Sequence, residues 1–493
     1  MLQKKSIRSL LILLISVFII SYIITKATIS SFTHDESYSY TRYVHTSFMD
    51  IVTYKIPFTN NHILNTLLMK FSESIFGSSE LALRLPNIIL LLVYLLYAFL
   101  FFQKSHKIIS LCLFMFMCSN FYMMDFFGMA RGYGLSIGFM TMSLYHLLQS
   151  LQANRNKNLL LFNIGAFLSV LSNFVLIYFY LAALVVYNIY IFITHFRFSD
   201  NQNKKYNFLK INWINFISFV FTAIIIYEPL RKIYKYKIID FGGNDGFMKD
   251  TLTSLIYKYF HNYVITPSDT LYIKIIILIP VIISLFLIIK NFYQAKKEFF
   301  DNAKALIIVN LILLIIPLET IIQHYLFNSN YLVERFALFL FPLFALNIAF
   351  LIDYWLKIKN RYRIFIFSVA ILLALLSANN CYKGINLYCC ADWGYDAETK
   401  NAVKELIAYH DKVDPIKHPA KIGINWLFEP TINFYRQTWN IDWLLPADRN
   451  GLTANDNYCY IFKTELDTLK HKNYNVIFFS DKTETALISI VEN

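Results

Sequence analysis

The chain has 493 residues, of which 57% are hydrophobic, 18% aromatic and 16% charged, with a formal net charge of +13 and a mean hydropathy of +0.46. That balance excludes an ordinary soluble enzyme and marks an integral membrane protein. The Lys and Arg residues fall in short clusters between apolar runs, as in loops obeying the positive-inside rule. No basic stripe or recognition module accompanies them, which argues against a nucleic-acid partner.

In chain order, the basic start around Lys4, Lys5 and Arg8 leads into an apolar run read as a retained anchor. It lacks a small-residue cleavage site, and its length approaches the roughly 20 residues that span a bilayer. Apolar spans are predicted at 9–27, 81–102, 108–124 and 129–148, then as a double span at 159–196 hinged near Ser172 and Asn173. Five more follow at 211–227, 271–289, 305–322, 336–356 and 364–377, giving about eleven transmembrane helices.

Basic residues mark alternate connections as cytoplasmic: Lys104 and Lys107, Arg155 and Lys157, Arg197 with Lys204, Lys205 and Lys210, Lys296 and Lys297, then Lys357, Lys359, Arg361 and Arg363. The amino terminus is therefore expected inside and the carboxyl terminus outside. Arg231, Lys232, Lys235 and Lys237 dissent, lying in a connection counted as outward, where basic residues would attract a phosphate-bearing ligand.

The expected fold class is a membrane all-α bundle over 1–379, with a soluble extracytoplasmic α/β domain over 380–493. In that domain an amphipathic helix is predicted at 396–410 and strands at 421–426, 458–463, 474–480 and 486–491. Cys381, Cys389, Cys390 and Cys459 fall there, and their spacing fixes no disulfide pairing. No zinc-type spacing, Walker loop or Rossmann glycine signature occurs.

Charges within a membrane protein are informative by depth. Asp35, Glu36, Glu80, Arg84, Asp125, Arg131, Glu228, Glu319, Glu334 and Arg335 all fall near the outer ends of spans or in outer loops. A secondary transporter would instead place polar groups or broken helices at mid-depth and show two related halves, so a transporter or flippase of a lipid-linked or small polar substrate ranks second. Taken singly, the acid pair is a solvated loop, the arginines are interfacial anchors, and His62 is a hydrogen-bonded interfacial histidine.

Order and spacing say more. The first outward loop, 28–80, carries Thr33-His34-Asp35-Glu36, then Asn60-Asn61-His62-Ile63-Leu64-Asn65, then Phe76-Gly77, and leads into Glu80-Leu81-Ala82-Leu83-Arg84-Leu85-Pro86. Ala130-Arg131-Gly132-Tyr133-Gly134-Leu135 and Tyr331-Leu332-Val333-Glu334-Arg335-Phe336 before Pro342 follow. This set resembles the GT-C class of membrane glycosyltransferases, in particular the protein O-mannosyltransferase and aminoarabinose (ArnT-like) transferase families. It covers about the first 350 residues in scattered pieces, and Ile63-Leu64 stand where those families carry a proline pair after the histidine.

The resemblance implies a multi-pass enzyme of a bacterial inner or plasma membrane, transferring a sugar with inversion from a polyprenyl-phosphate donor to an outward-facing glycolipid, polysaccharide or protein acceptor. Asp35 would be the general base, because an acceptor hydroxyl is a poor nucleophile until a carboxylate takes its proton. Glu36 would support it. Arg131 and Arg335, with Arg84 and His62, would meet the departing phosphate, and Tyr133 would line the substrate site. A divalent cation between Asp35 or Glu36 and the phosphate is compatible with this scheme, and no ligand set demands one.

Overall fold

The computed structural model describes residues 2–152, 155–198, 208–236, 238, 241–358, 360–390, 392–469 and 473–491. Lys204, Lys205, Lys237 and Lys359, used above to orient the chain, lie outside the described residues. Helix α1 (Leu2–Ile29) is followed by a first loop holding α2 (His34–Ser39), α3 (Phe48–Val52) and α4 (Ile63–Phe76). The bundle continues through α5 (Glu80–Phe102), α6 (Lys107–Cys118), α7 (Phe121–Asp125), α8 (Gly132–Ser150), α9 (Arg155–Ser172), α10 (Ile177–Phe198) and α11 (Phe208–Lys235). It closes with α12 (Leu252–Tyr259), α13 (Pro267–Tyr293), α14 (Lys297–Asn302), α15 (Lys304–Phe327), α16 (Leu340–Ile358) and α17 (Arg363–Gly384).

Among the described residues, 8 helices are long and apolar enough to cross a membrane: α1, α5, α10, α11, α13, α15, α16 and α17. Counting α6 with the segment Phe121–Gly128 as a single span bent by 67° makes 9. The bend falls where Asn120 caps the restarted helix, its Oδ1 accepting the Met123 N–H at 3.0 Å. The expectation of about eleven is therefore not met on length and apolarity.

The two shortfalls, α8 and α9, are helical where spans were expected. Helix α8 is buried along most of its length and α9 along about half, so on those faces they need not match lipid in apolarity. A Cβ built at Gly165 of α9 would stand 3.0 Å from the Ser143 Cβ of α8, so small residues let these two backbones approach closely. Asn163 of α9 donates to Asn215 of α11 at 2.8 Å, satisfying amides that an apolar helix would not carry. Lys26 near the end of α1 pairs with Asp125 of α7 at 2.5 Å with both side chains about buried, tying the first span to the bent one.

Helix α17 runs to Gly384, five residues past the expected domain boundary. Beyond it, α18 (Thr399–Val413), β1 (Ile422–Ile424), α19 (Glu429–Thr438), β2 (Tyr458–Phe462), β3 (Tyr474–Ser480) and β4 (Thr485–Ile490) build the small α/β domain. Its sheet has the order β1-β2-β4-β3. β1 and β2 are parallel, with α19 in the connection between them, and the β2–β4 and β3–β4 pairs are antiparallel. The four expected strands appear within a residue or two of their predicted ends, whereas α19 was not foreseen. No disulfide joins the cysteines among the described residues.

This domain is fastened to the first loop. The Phe32 N–H donates to the Tyr435 hydroxyl at 2.8 Å, the Phe32 and Phe434 rings stack at 4.2 Å, and the His34 Nδ1 lies 2.6 Å from the Leu427 carbonyl oxygen. Lys400 pairs with Glu80 at 2.8 Å. Asp396, wholly buried, receives the Thr399 and Thr431 hydroxyls at 2.9 Å each and the backbone N–H of His34. These contacts put the α/β domain at the Glu80 end of α5, against the helix that carries the acid pair.

Candidate active site

Thr33 and Glu36 have the spacing of a capping box, and they form one. The Glu36 carboxylate accepts the Thr33 N–H and hydroxyl, each at 3.0 Å, and starts α2. The same carboxylate takes the Arg84 Nε at 2.8 Å, the Arg84 Nη2 at 2.7 Å and the Ala130 N–H at 2.6 Å. Arg84 spends its remaining N–H groups on the Ala27, Ser30 and Ser31 carbonyls and the Ser30 hydroxyl. Both side chains are at 0% exposure, so this pair has neither donor nor surface left for a ligand. What it does is join the end of α1, the start of α5 and the extended segment entering α8.

That joint brings Asp35 to Arg131. The Arg131 Nη2 lies 3.4 Å from Asp35 Oδ2, and its Nη1 donates to the Ser39 hydroxyl at 3.0 Å and to the Asp35 and Asn60 carbonyls at 3.3 and 3.2 Å. Asn60 also donates to Asp35 Oδ1 at 3.3 Å. Arg335, from the connection between α15 and α16, places its Nη2 3.7 Å from the same Oδ2. Its other terminal nitrogen lies 3.4 Å from Asp392 Oδ2.

Asp392 in turn pairs with Lys258 at 2.6 Å and accepts the Tyr122 hydroxyl at 2.9 Å. Lys258 reaches Glu334 at 3.4 Å. Glu334 sits at φ 50°, in the left-handed region that costs a residue with a Cβ about 1 kcal/mol. Its N–H is held by the Ser254 hydroxyl at 2.9 Å, so the strained backbone that aims Arg335 is braced from α12. The Trp393 ring lies under the Arg335 guanidinium at 5.0 Å.

Burial alone would raise the Asp35 carboxyl, but the Arg131 and Arg335 guanidinia more than offset it and hold it below the ordinary carboxylate range. His62 is moved well below its usual value, by burial first and by Arg131 second, and so is neutral. Its ring donates to the Ser172 carbonyl and meets the Tyr133 ring edge-on at 5.1 Å. Gly132 makes room for this contact: a Cβ there would fall 1.8 Å from the Ser172 oxygen and 2.8 Å from the His62 ring.

Four buried polar atoms around this centre have no hydrogen-bond partner: Asp35 Oδ2, His62 Nε2, Arg131 Nε and Arg335 Nε. Buried polar atoms are nearly always paired, so unpaired ones on converging side chains mark a place for a ligand. Of the residues singled out by sequence, Asp35, His62, Arg131, Tyr133 and Arg335 share this centre. Glu36 and Arg84 stand behind it. Asp392, Lys258 and Trp393 were missed, and nothing local in their sequence marks them; Asn60 and Ser39 were signalled only by proximity to the motifs.

Among the described residues no group of three or more His, Cys, Asp or Glu side chains is placed to hold a metal ion. Glu36 is consumed by its partners, and Asp35 Oδ2 faces the Arg131 and Arg335 guanidinia at 3.4 and 3.7 Å.

No family model matches the chain, and no curated protein matches it. Among solved structures, the chain is similar to ArnT from Cupriavidus metallidurans in the apo state, with a TM-score of 0.48 and 10% identity over 98% of this chain and 97% of that one. It is also similar to the same protein bound to undecaprenyl phosphate, with a TM-score of 0.47 and 12% identity over 98% and 97% of the two chains.

Proposed function

We propose that this protein is an integral-membrane glycosyltransferase that moves a sugar from a polyprenyl-phosphate donor to an acceptor on the outward face of the membrane. The observation that carries the reading is the unpaired Asp35 Oδ2 lying between two guanidinia, each with a spare Nε, at the end of the bundle that bears the α/β domain. The motif order in the first loop and around Arg131 and Arg335 supports the same reading.

The residues divide the chemistry. Asp35 takes the proton of an acceptor hydroxyl as its oxygen attacks the anomeric carbon. The bond from that carbon to the phosphate oxygen breaks, and the electron pair leaves with the lipid phosphate. Arg131 and Arg335 receive the developing charge through directed N–H groups, and neutral His62, whose ring N–H goes to the Ser172 carbonyl, turns Nε2 toward the site as an acceptor for a substrate hydroxyl. One displacement with one base inverts the anomeric centre. The Glu36–Arg84 pair holds the frame.

The depressed Asp35 carboxyl fits this order of events. The guanidinia that keep it ionised are the ones that take the phosphate, and once a phosphate neutralises them the carboxylate regains basicity. The base is then strongest when donor is bound.

Purified protein incubated with candidate polyprenyl-phosphate sugars and acceptors tests the proposal. Wild type releases or transfers sugar, and Asp35→Asn, made at normal levels, does not. Equal transfer by the variant removes Asp35 from the role of base. Failure of wild type with every donor, alongside movement of a lipid-linked substrate across vesicles, would favour a transporter.

A further inference from the structure

A polar cavity lies at the other end of the bundle from Asp35. It has a volume of about 160 Å³ and is formed by the end of α5, the end of α8, the start of α15 and the end of α16. Helix α5 begins beside Glu36 and ends at this cavity, and its 23 residues at 1.5 Å each set the two sites about 30 Å apart. The cavity therefore takes no part in the chemistry at Asp35.

Its polar lining includes Lys104, Lys304, Lys357, Asp301 and Asp353, which gives it an excess of positive charge. Asp353 is already engaged, pairing with Lys357 at 2.7 Å and accepting the Ser105 hydroxyl at 2.7 Å. Lys104 and Lys304 form no ion pair among the described residues. Helix α15 starts at Lys304 with no side chain capping its amino terminus, so its first N–H groups add to the positive potential there.

The apolar side of the cavity runs on into the lipid-facing surface of α5. Ile89, Leu92 and Leu96 form a stripe along α5 exposed at 49%, 49% and 52%, and one further turn brings the stripe to Leu100, which lines the cavity. A lipid chain lying on that stripe delivers its headgroup to Gln103, Lys104 and Lys304. Basic pockets between transmembrane helices are suited to anionic headgroups, and the cytoplasmic leaflet, where the positive-inside reading puts this end, is the anionic one.

We infer that this cavity binds the phosphate headgroup of an anionic phospholipid, at a site separate from that of the sugar donor. The inference does not depend on the proposed reaction.

The test compares thermal unfolding of the full chain in nanodiscs of phosphatidylcholine alone and of phosphatidylcholine with phosphatidylglycerol. Two variants accompany it, Lys104→Gln with Lys304→Gln, and Lys104→Glu with Lys304→Glu. Wild type should unfold several degrees higher with phosphatidylglycerol, the Gln pair should lose most of that rise, and the Glu pair should lose or reverse it. An equal rise in wild type and in the Gln pair overturns the site. No rise in wild type overturns the inference altogether. If free glycerol 3-phosphate in phosphatidylcholine discs reproduces the rise, the ligand is a soluble phosphate and the lipid assignment fails.

Discussion

Arg84 grips Glu36 with two parallel hydrogen bonds of 2.8 and 2.7 Å, and neither side chain reaches the surface. Asp35, one residue away, meets its two arginines only at 3.4 and 3.7 Å, and the Oδ2 between them accepts no hydrogen bond. Adjacent carboxylates thus do opposite work: one is spent on holding the loop and the other is left poised.

Substitutions should separate the two. Removing either partner of the Glu36–Arg84 pair strands a buried charge, so Glu36→Ala and Arg84→Ala should each destabilise the protein by about 3–5 kcal/mol. Asp35→Asn should destabilise the protein less than either, because Arg131 keeps the Ser39 hydroxyl and the Asn60 carbonyl and Arg335 keeps Asp392, while lowering transfer about 10²–10⁴-fold. Unfolding midpoints of the purified variants, read beside their transfer rates, check both expectations.

Arg335→Ala should lower kcat about 10²–10³-fold if its donors meet charge that develops on the leaving phosphate. Arg335→Lys should restore little, because an ammonium cannot offer paired donors while facing both Asp35 and Asp392. Steady-state kinetics with varied donor concentration distinguishes this from simple loss of donor binding, which would raise KM alone.

Asp35 also predicts a pH dependence. Its folded-state carboxyl lies below the ordinary value, so its contribution to stability is present above the unfolded value near 4 and is lost as pH falls through the lower folded one. If it is the base, the acid limb of the rate profile for free enzyme should sit below the usual carboxylate range. A pH series of kcat/KM reads this directly.

Asp396 should behave the opposite way. Burial pushes its carboxyl up to about 7, so the folded chain keeps a proton that the unfolded chain releases. Its contribution is fully present below the unfolded value near 4, declines as pH rises, and levels off above about 7. Thermal unfolding across that range should show the decline in wild type and a flatter course in Asp396→Asn.

Gly132→Ala tests the packing behind His62. The added methyl would collide with the Ser172 carbonyl and the His62 ring, an overpacking that costs about 1–3 kcal/mol or more. Both stability and transfer should fall, and a change in neither would show that α8 can shift at no cost.

Much of the site was legible in the first loop. The Thr33 to Glu36 spacing is a capping box, and reading it as one would have assigned Glu36 to structure from sequence alone. Asp392 and Lys258 had no such signal, because they reach Arg335 from segments remote in the chain. Of the eleven expected spans, α8 and α9 are helical but are not among those that pass on length and apolarity, since they carry polar residues such as Asn163 that meet neighbouring helices. Helix α19 was overlooked although Pro430 stands at its first turn, a position where proline begins helices.

Composition and local pattern by themselves determined the membrane class, most of the helices, the polar first loop and the α/β character of the carboxyl-terminal domain. These follow from how each short segment partitions between lipid and water, a property that segment carries alone. Only the tertiary structure decided which charges meet, that Glu36 and Arg84 neutralise each other while Asp35, His62, Arg131 and Arg335 are left with atoms to spare. Pairing of buried charges depends on where helices cross, and packing sets those crossings over distances that no local pattern records.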